Sequence, residues 1–318
     1  MQNAKKVGLG QNNPKSKLFY TLLVILPSLQ FLIFWVYVNF NSIILAFKVF
    51  DANATTSQDF SFGVKNFLHW FSDKYKMLGG KSHYYKADIL PAIKVTLLTY
   101  VIGLLINMPL GLFFSYYMFK KMPGSGLFRV LLFMPSIISA APLSVIFHEI
   151  TYNLIGSTPG VDGWLPFNFW LEKNEFFTMI LFNFFIGFGT SVLMYTNKMD
   201  AIAPEIIESA HLDGANGLTE FWYIVLPQAF SIIQVFLITG FAGAFTNQHN
   251  VLTLFNSWHP SRNVTSLGLV LWNGVRNGGD TVWELAPYAA LGLMITIIVV
   301  PLTFLFRWAL DKFGWKEE

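Results

Sequence analysis

The sequence predicts an all-α, polytopic membrane protein with six transmembrane helices. Of its 318 residues 54% are apolar and 17% aromatic, only 12% are charged, and the mean hydropathy is +0.49, too apolar for a soluble domain. The charges gather between long apolar runs, and the first of these runs passes from Lys17 to Lys48 without a charge for 30 residues. That length holds one crossing of about 20 residues and an extension beyond the bilayer. A polar stretch, residues 198–227, separates two later apolar runs and stands out as an island.

The elements follow in order. Residues 1–17 form a basic tail with Lys5, Lys6, Lys15 and Lys17. The apolar run 18–47 is too long for a signal-peptide core and has no convincing cleavage site, so it stays as span one. Residues 48–88 form the longest loop outside the membrane. Its Gly80-Lys81-Ser82 resembles the end of a phosphate-binding loop, but the required glycine five residues earlier is Tyr75, and the nucleotide reading fails. Residues 89–310 form the core. Span two covers 90–119, with Asn107-Met108-Pro109 near its middle, and span three covers 128–150, with Pro135 and Pro142 inside it. Such prolines are tolerated in membranes where neighbours satisfy the freed carbonyls. After a Gly-, Pro- and Trp-rich loop at 151–174 come span four at 175–197, span five at 228–248, a polar loop at 249–282 and span six at 284–309. The chain closes on the charged tail 311–318.

The island reads as two short helices joined by a bend. Pro204 suits a first helical turn, and Glu205 and Glu208 place negative charge near the helix's positive end. Gly214 permits a reversal that a Cβ resists, Asn216 caps the second helix, and Pro227 ends it. Phe221, Ile224 and Val225 share one face of that helix.

These residues resemble the EAA motif, E-A-A-x-x-D-G-A followed at fixed distance by F-x-x-I-x-L-P. Here it reads Glu208-Ser209-Ala210-x-x-Asp213-Gly214-Ala215 with Phe221, Ile224, Leu226 and Pro227 in register, and Ser209 is its one departure. The motif marks the permease subunits of binding-protein-dependent ABC importers. The resemblance extends over 90–309 and includes Gly126-Leu127-Phe128-Arg129 leading into Leu132-Phe133-Met134-Pro135, common in the carbohydrate-uptake branch of maltose and multiple-sugar type.

The resemblance implies a type I importer permease fold with a cytoplasmic EAA coupling loop in a bacterial cytoplasmic membrane. It implies a second homologous permease, two ABC ATPase subunits and an extracytoplasmic solute-binding protein as partners, a sugar or oligosaccharide as cargo, and alternating access as mechanism. ATP and Mg would sit on the ATPases, and this chain would bind no cofactor and hydrolyse nothing. Glu208, Ala210, Asp213, Gly214 and Ala215 would couple to the ATPase, Glu208 by pairing with a basic residue there. Both termini would be cytoplasmic. That placement puts eleven Lys/Arg inside and nine outside with Lys94 at a span edge, a weak bias that leaves the orientation to the motif.

In the sugar branch the cargo site is lined by spans three to five. Counted from the EAA glutamate, the matching positions are Asn183, Ile186 and Gly187 on span four, Gly240, Gly243, Ala244 and Asn247 on span five, and Ser136 and Ala140 by the span-three proline. Helical spacing alone puts Asn183 with Gly187, and Gly240, Gly243, Ala244 and Asn247, each on one face. Two readings of these residues stand together. An asparagine offers donor and acceptor to sugar hydroxyls. Equally, Gly240-x-x-x-Ala244 packs helices closely and the asparagines bond between them, the reading that suits the small residues better.

Other chemistry finds little support. No cysteine is present, so disulfides and thiolate chemistry are excluded, and the net charge of +3 is too small and dispersed for nucleic-acid binding. His148-Glu149 lacks a second histidine at zinc-site spacing, and His69, His83, His249 and His259 lie in or beside loops without forming a cluster. An intramembrane enzyme would need paired acids, a Ser/His dyad or a metal cluster at membrane depth, and no carboxylate lies well inside a span. Among transported solutes, glycerol-phosphate, polyols and amino acids are the alternatives to a sugar.

Overall fold

A computed structural model describes residues 14–50, 59–70, 86–156, 163, 165–255, 261–277 and 282–315. Most of the basic tail, Asp51, the Gly80-Lys81-Ser82 segment with Tyr75, His83, His259 and the last three residues lie outside this set. Among the described residues four continuous helices are long and apolar enough to cross a bilayer: Leu18–Phe47, Ile89–Phe119, Glu172–Asp200 and Glu284–Phe313. They are spans one, two, four and six. Span one lies against span six and is otherwise exposed along its length.

Spans three and five are bent pairs rather than single rods. Span three consists of Ser125–Ile137 and Ala140–Ile155, which meet at 109°. The expectation of one continuous helix over 128–150 is corrected here, and Pro142 supplies the reason. A helix running through it would leave the Ile138 carbonyl without a donor and set the proline ring against it. Ile138 and Ser139 instead turn extended, with ψ of 140° and 146°, and Pro142 falls in the first turn of the new helix, where no N–H is needed. Span five joins Gly217–Gln228 to Phe230–Ala244 at 64°. The helix passes Pro227 by one residue before it bends at Ala229, and span five ends at Ala244, short of residue 248.

Close approaches hold spans two, three and four together. A Cβ at Gly189 would lie 1.8 Å from the Leu132 carbonyl oxygen, so only glycine lets span four meet the first half of span three. The Ser115 hydroxyl donates to its own helix at Gly111, 2.7 Å, and sits 2.9 Å from the Val192 carbonyl of span four. Around this contact Leu112, Tyr195, Met199, Phe221, Val225 and Phe230 form one buried cluster, which joins spans two and four to the polar island. A second cluster, with Val95, Met179, Phe182, Val251 and Leu269, packs the opposite end. Outside the helices, Lys48–Phe50 and Phe60–Phe62 pair as a short antiparallel hairpin, a small β element in an otherwise helical protein.

Candidate functional site

The polar island folds as a helix, Pro204–Leu212, a turn, and the helix Gly217–Gln228. The turn is a Schellman closure: Ala215 N–H donates to the Ala210 carbonyl at 2.9 Å and Gly214 N–H to the His211 carbonyl at 3.1 Å. Gly214 takes φ +84°, a left-handed conformation that a side chain resists. The Asn216 side chain accepts from Thr219 N–H at 2.9 Å and caps the second helix. Ala210 is buried, while Glu208 and Asp213 are exposed and no ion pair holds Glu208 among the described residues. Leu212, Leu218 and Tyr223 are exposed on the same knob, Leu212 by 89% and Tyr223 by 79%.

The acid that does most inside the knob is Glu220, which sequence reading passed over. It is completely buried. Lys120 Nζ, at the end of span two, lies 3.1 and 3.0 Å from its two oxygens, and His211 Nε2 lies 2.6 Å from Oε2. Close by, the Tyr116 hydroxyl donates to the Gly217 carbonyl at 2.9 Å, and the Phe221 ring stacks on Phe113 at 5.2 Å. The sequence signal was an acid immediately before the fixed Phe221, in a span otherwise short of charge.

Above the knob, midway along the helices, spans two, four and five border an open cavity of about 450 Å³. Asn183 and Gly187 of span four reach it, as do Gly240, Gly243, Ala244 and Asn247 of span five. Ser136, Ala140 and Ile186 are not among its lining residues, and the Ser136 hydroxyl is turned to the Phe133 carbonyl at 2.7 Å. Span two takes the place expected of span three, with Thr99, Tyr100, Gly103 and Asn107 on the wall. Span three breaks by 109° just beyond Ser136, and a turn of π-helix at Gly103–Asn107 falls on the span-two wall. Pro109 has no N–H for the Leu105 carbonyl, which favours that irregularity. An amide in mid-span, Asn107, was the available signal.

The lining is largely apolar, and the polar groups set into it carry no charge among the described residues. It holds three asparagines, Thr99, Thr239, Ser191, Tyr100, Tyr195 and His249, and no Asp, Glu, Lys or Arg. Asn183 is fully engaged: its amide donates to the Met179 and His249 carbonyls at 2.8 and 2.7 Å, and its oxygen accepts from Asn250 Nδ2 at 2.9 Å. Among the described residues the Asn247 side chain uses only its oxygen, accepting from His249 N–H at 2.7 Å. The Thr99 hydroxyl and His249 Nε2 are buried at the cavity with no partner among the described residues. Cβ atoms built at Gly187 and Gly243 would meet nothing within 4 Å, and one at Gly240 would rest in ordinary contact with Tyr100. Among the described residues no group of three His, Asp or Glu side chains could hold a metal ion.

Residues 107–314 match the family described as the binding-protein-dependent transport system inner membrane component. The chain belongs to this family. Among curated relatives, the multiple sugar-binding transport system permease protein MsmF of Streptococcus mutans is 25% identical over 52% of this chain and 57% of its own. The arabinooligosaccharides permease AraP of Bacillus subtilis is 24% identical over 62% and 64%. The alpha-glucoside permease AglF of Rhizobium meliloti is 30% identical over 55% and 53%. The matched region thus spans little more than half the length of these relatives. A crystal structure of a bacterial alginate ABC transporter with its alginate pentasaccharide-bound periplasmic protein superposes at a TM-score of 0.69 over 94% of this chain and 95% of the other, at 16% identity. That likeness shows the fold, a bundle of membrane-spanning helices.

Proposed function

We propose that this chain is a permease subunit of an ATP-driven importer and forms part of the path for a neutral sugar or oligosaccharide. The carrying observation is a cavity whose polar groups, set in a largely apolar lining, carry no charge, on helices whose ends converge on the Pro204–Gln228 knob. Hydroxyl-rich cargo is matched by amides, hydroxyls and tyrosine rings. A phosphate or uronate would be taken out of water opposite no cation, which is costly. One relative is named for sn-glycerol-3-phosphate and another for polygalacturonan/rhamnogalacturonan, so the family admits anions, and the lining here speaks against them.

The knob, by its bare apolar tips and Glu208, would dock on one of two ABC ATPases at the cytoplasmic face, with both termini on that side. A second homologous permease completes the path, and a solute-binding protein delivers cargo from outside. ATP and Mg act on the ATPases. This chain supplies binding surface and movement, not chemistry: closing the ATPase dimer carries the knobs with it and favours the outward-open state, which nucleotide binds better. Reconstitution with the second permease, binding protein and ATPase encoded by neighbouring genes tests this. ATP-dependent uptake of neutral gluco-, galacto- or arabino-oligosaccharides, with none of uronates, is expected; uptake of uronates alone, or of no sugar, contradicts it.

A further inference from the structure

We propose that Glu220 and Lys120 clamp the knob to span two, so that span two carries the knob's movement to the cavity; this rests on the importer reading above. The clamp is a matter of geometry. Glu220 stands one residue ahead of Phe221 on the second knob helix and reaches two elements at once, His211 of the first knob helix at 2.6 Å and Lys120 of span two at 3.0 and 3.1 Å. A fully buried carboxylate is tolerated only with such partners, and with them it fixes three chain segments in one arrangement. Aromatic packing backs it, since Phe221 lies 5.2 Å from Phe113 and 5.0 Å from Tyr116, both on span two.

From Lys120 the same span runs back as Met108–Phe119 to the π-helical turn Gly103–Asn107 on the cavity wall. Such a turn is a place where a helix can rotate or bend without losing its hydrogen-bond ladder elsewhere. The lower half of span two is also tied to span four through Ser115 and Val192. A displacement of the knob therefore moves these segments together, and Gly103–Asn107 takes up the difference. Glu220 and Lys120 are positioning residues. They touch no cargo.

The test uses the whole transporter in vesicles. The chain has no cysteine, so Gly103→Cys supplies a single thiol, at a position where a Cβ meets nothing within 4 Å. Its rate of labelling by an impermeant maleimide is compared with and without MgATP and vanadate. The otherwise unaltered chain should change rate by about fivefold or more, and Glu220→Ala should bring this below about twofold while the ATPase still co-purifies and hydrolyses ATP. Exchanging the charges, Lys120→Glu with Glu220→Lys, should restore the response, which a purely structural loss would not allow. Should Glu220→Ala lose the ATPase, Lys120→Met is read instead, because it cuts the link to span two and keeps the His211 contact. A full response in Lys120→Met, or in an assembled Glu220→Ala, overturns the clamp. No response in the Gly103→Cys chain without further changes overturns the importer reading and the clamp with it.

Discussion

Asn183 and Asn247 bring the same amide to the same cavity and spend it differently. With both donors and its oxygen engaged, Asn183 braces span four against the 247–250 turn, so Asn183→Ala strands the His249 carbonyl and the Asn250 amide. It should cost about 1–3 kcal/mol and lower the Tm of the detergent-solubilised transporter. Asn247 has its NH2 free of any acceptor among the described residues and holds one bond, from His249 N–H, so Asn247→Ala should raise the KM for uptake and lower Tm less than Asn183→Ala does. An unchanged KM would remove Asn247 from the cargo surface. Glycine offers a third residue-scale test. Gly243→Leu points new bulk into open cavity, so it should slow uptake of longer oligosaccharides more than shorter ones without loss of protein. Sequence alone left Asn183 balanced between cargo contact and brace, because both uses require the same polar group at the same helical face. Only the partner distances separate them.

At the scale of elements, the knob and the broken third span show what a linear pattern can and cannot carry. Pro204, Gly214 and Asn216 announced the knob because each answers a local backbone demand: a first turn, a positive φ, an open N–H. Gly214→Ala should lose about 1–2 kcal/mol to left-handed strain and weaken ATPase co-purification, and Gly214→Pro should abolish it with the chain still inserted. The 109° break in span three was hidden because residues on both sides stay apolar, and hydropathy does not register direction. Its placement follows from one missing N–H at Pro142, visible in the sequence but weighed there as tolerable. Glu220 was equally hidden, since an acid looks alike in sequence whether solvated or enclosed by Lys120 and His211. Span four meets the first half of span three closely at Gly189: Gly189→Ala sets a Cβ against the Leu132 carbonyl and should destabilise the bundle by several kcal/mol, read as loss of folded, monodisperse transporter.

For the molecule as a whole, the long apolar helices were legible because a bilayer sets their length, and the family was legible because the knob's fixed residues lie close together in the chain. The cavity was only half legible. Its walls come from spans two, four and five, whose lining residues are spread through the sequence from Thr99 to His249, and nothing local says that Thr99 and Asn107 face Asn247. What unites the parts is continuity: the knob packs on span two, span two lines the cavity, and the cavity holds polar groups without charge. The central claim is that ATP, acting through the knob, drives a neutral sugar through this path. The most direct measurement is ATP-dependent uptake of neutral oligosaccharides by the reconstituted transporter, parent against Gly214→Pro. The account predicts uptake in the parent and a fall to background in the variant, with the chain inserted in both. Equal uptake in the two would contradict it.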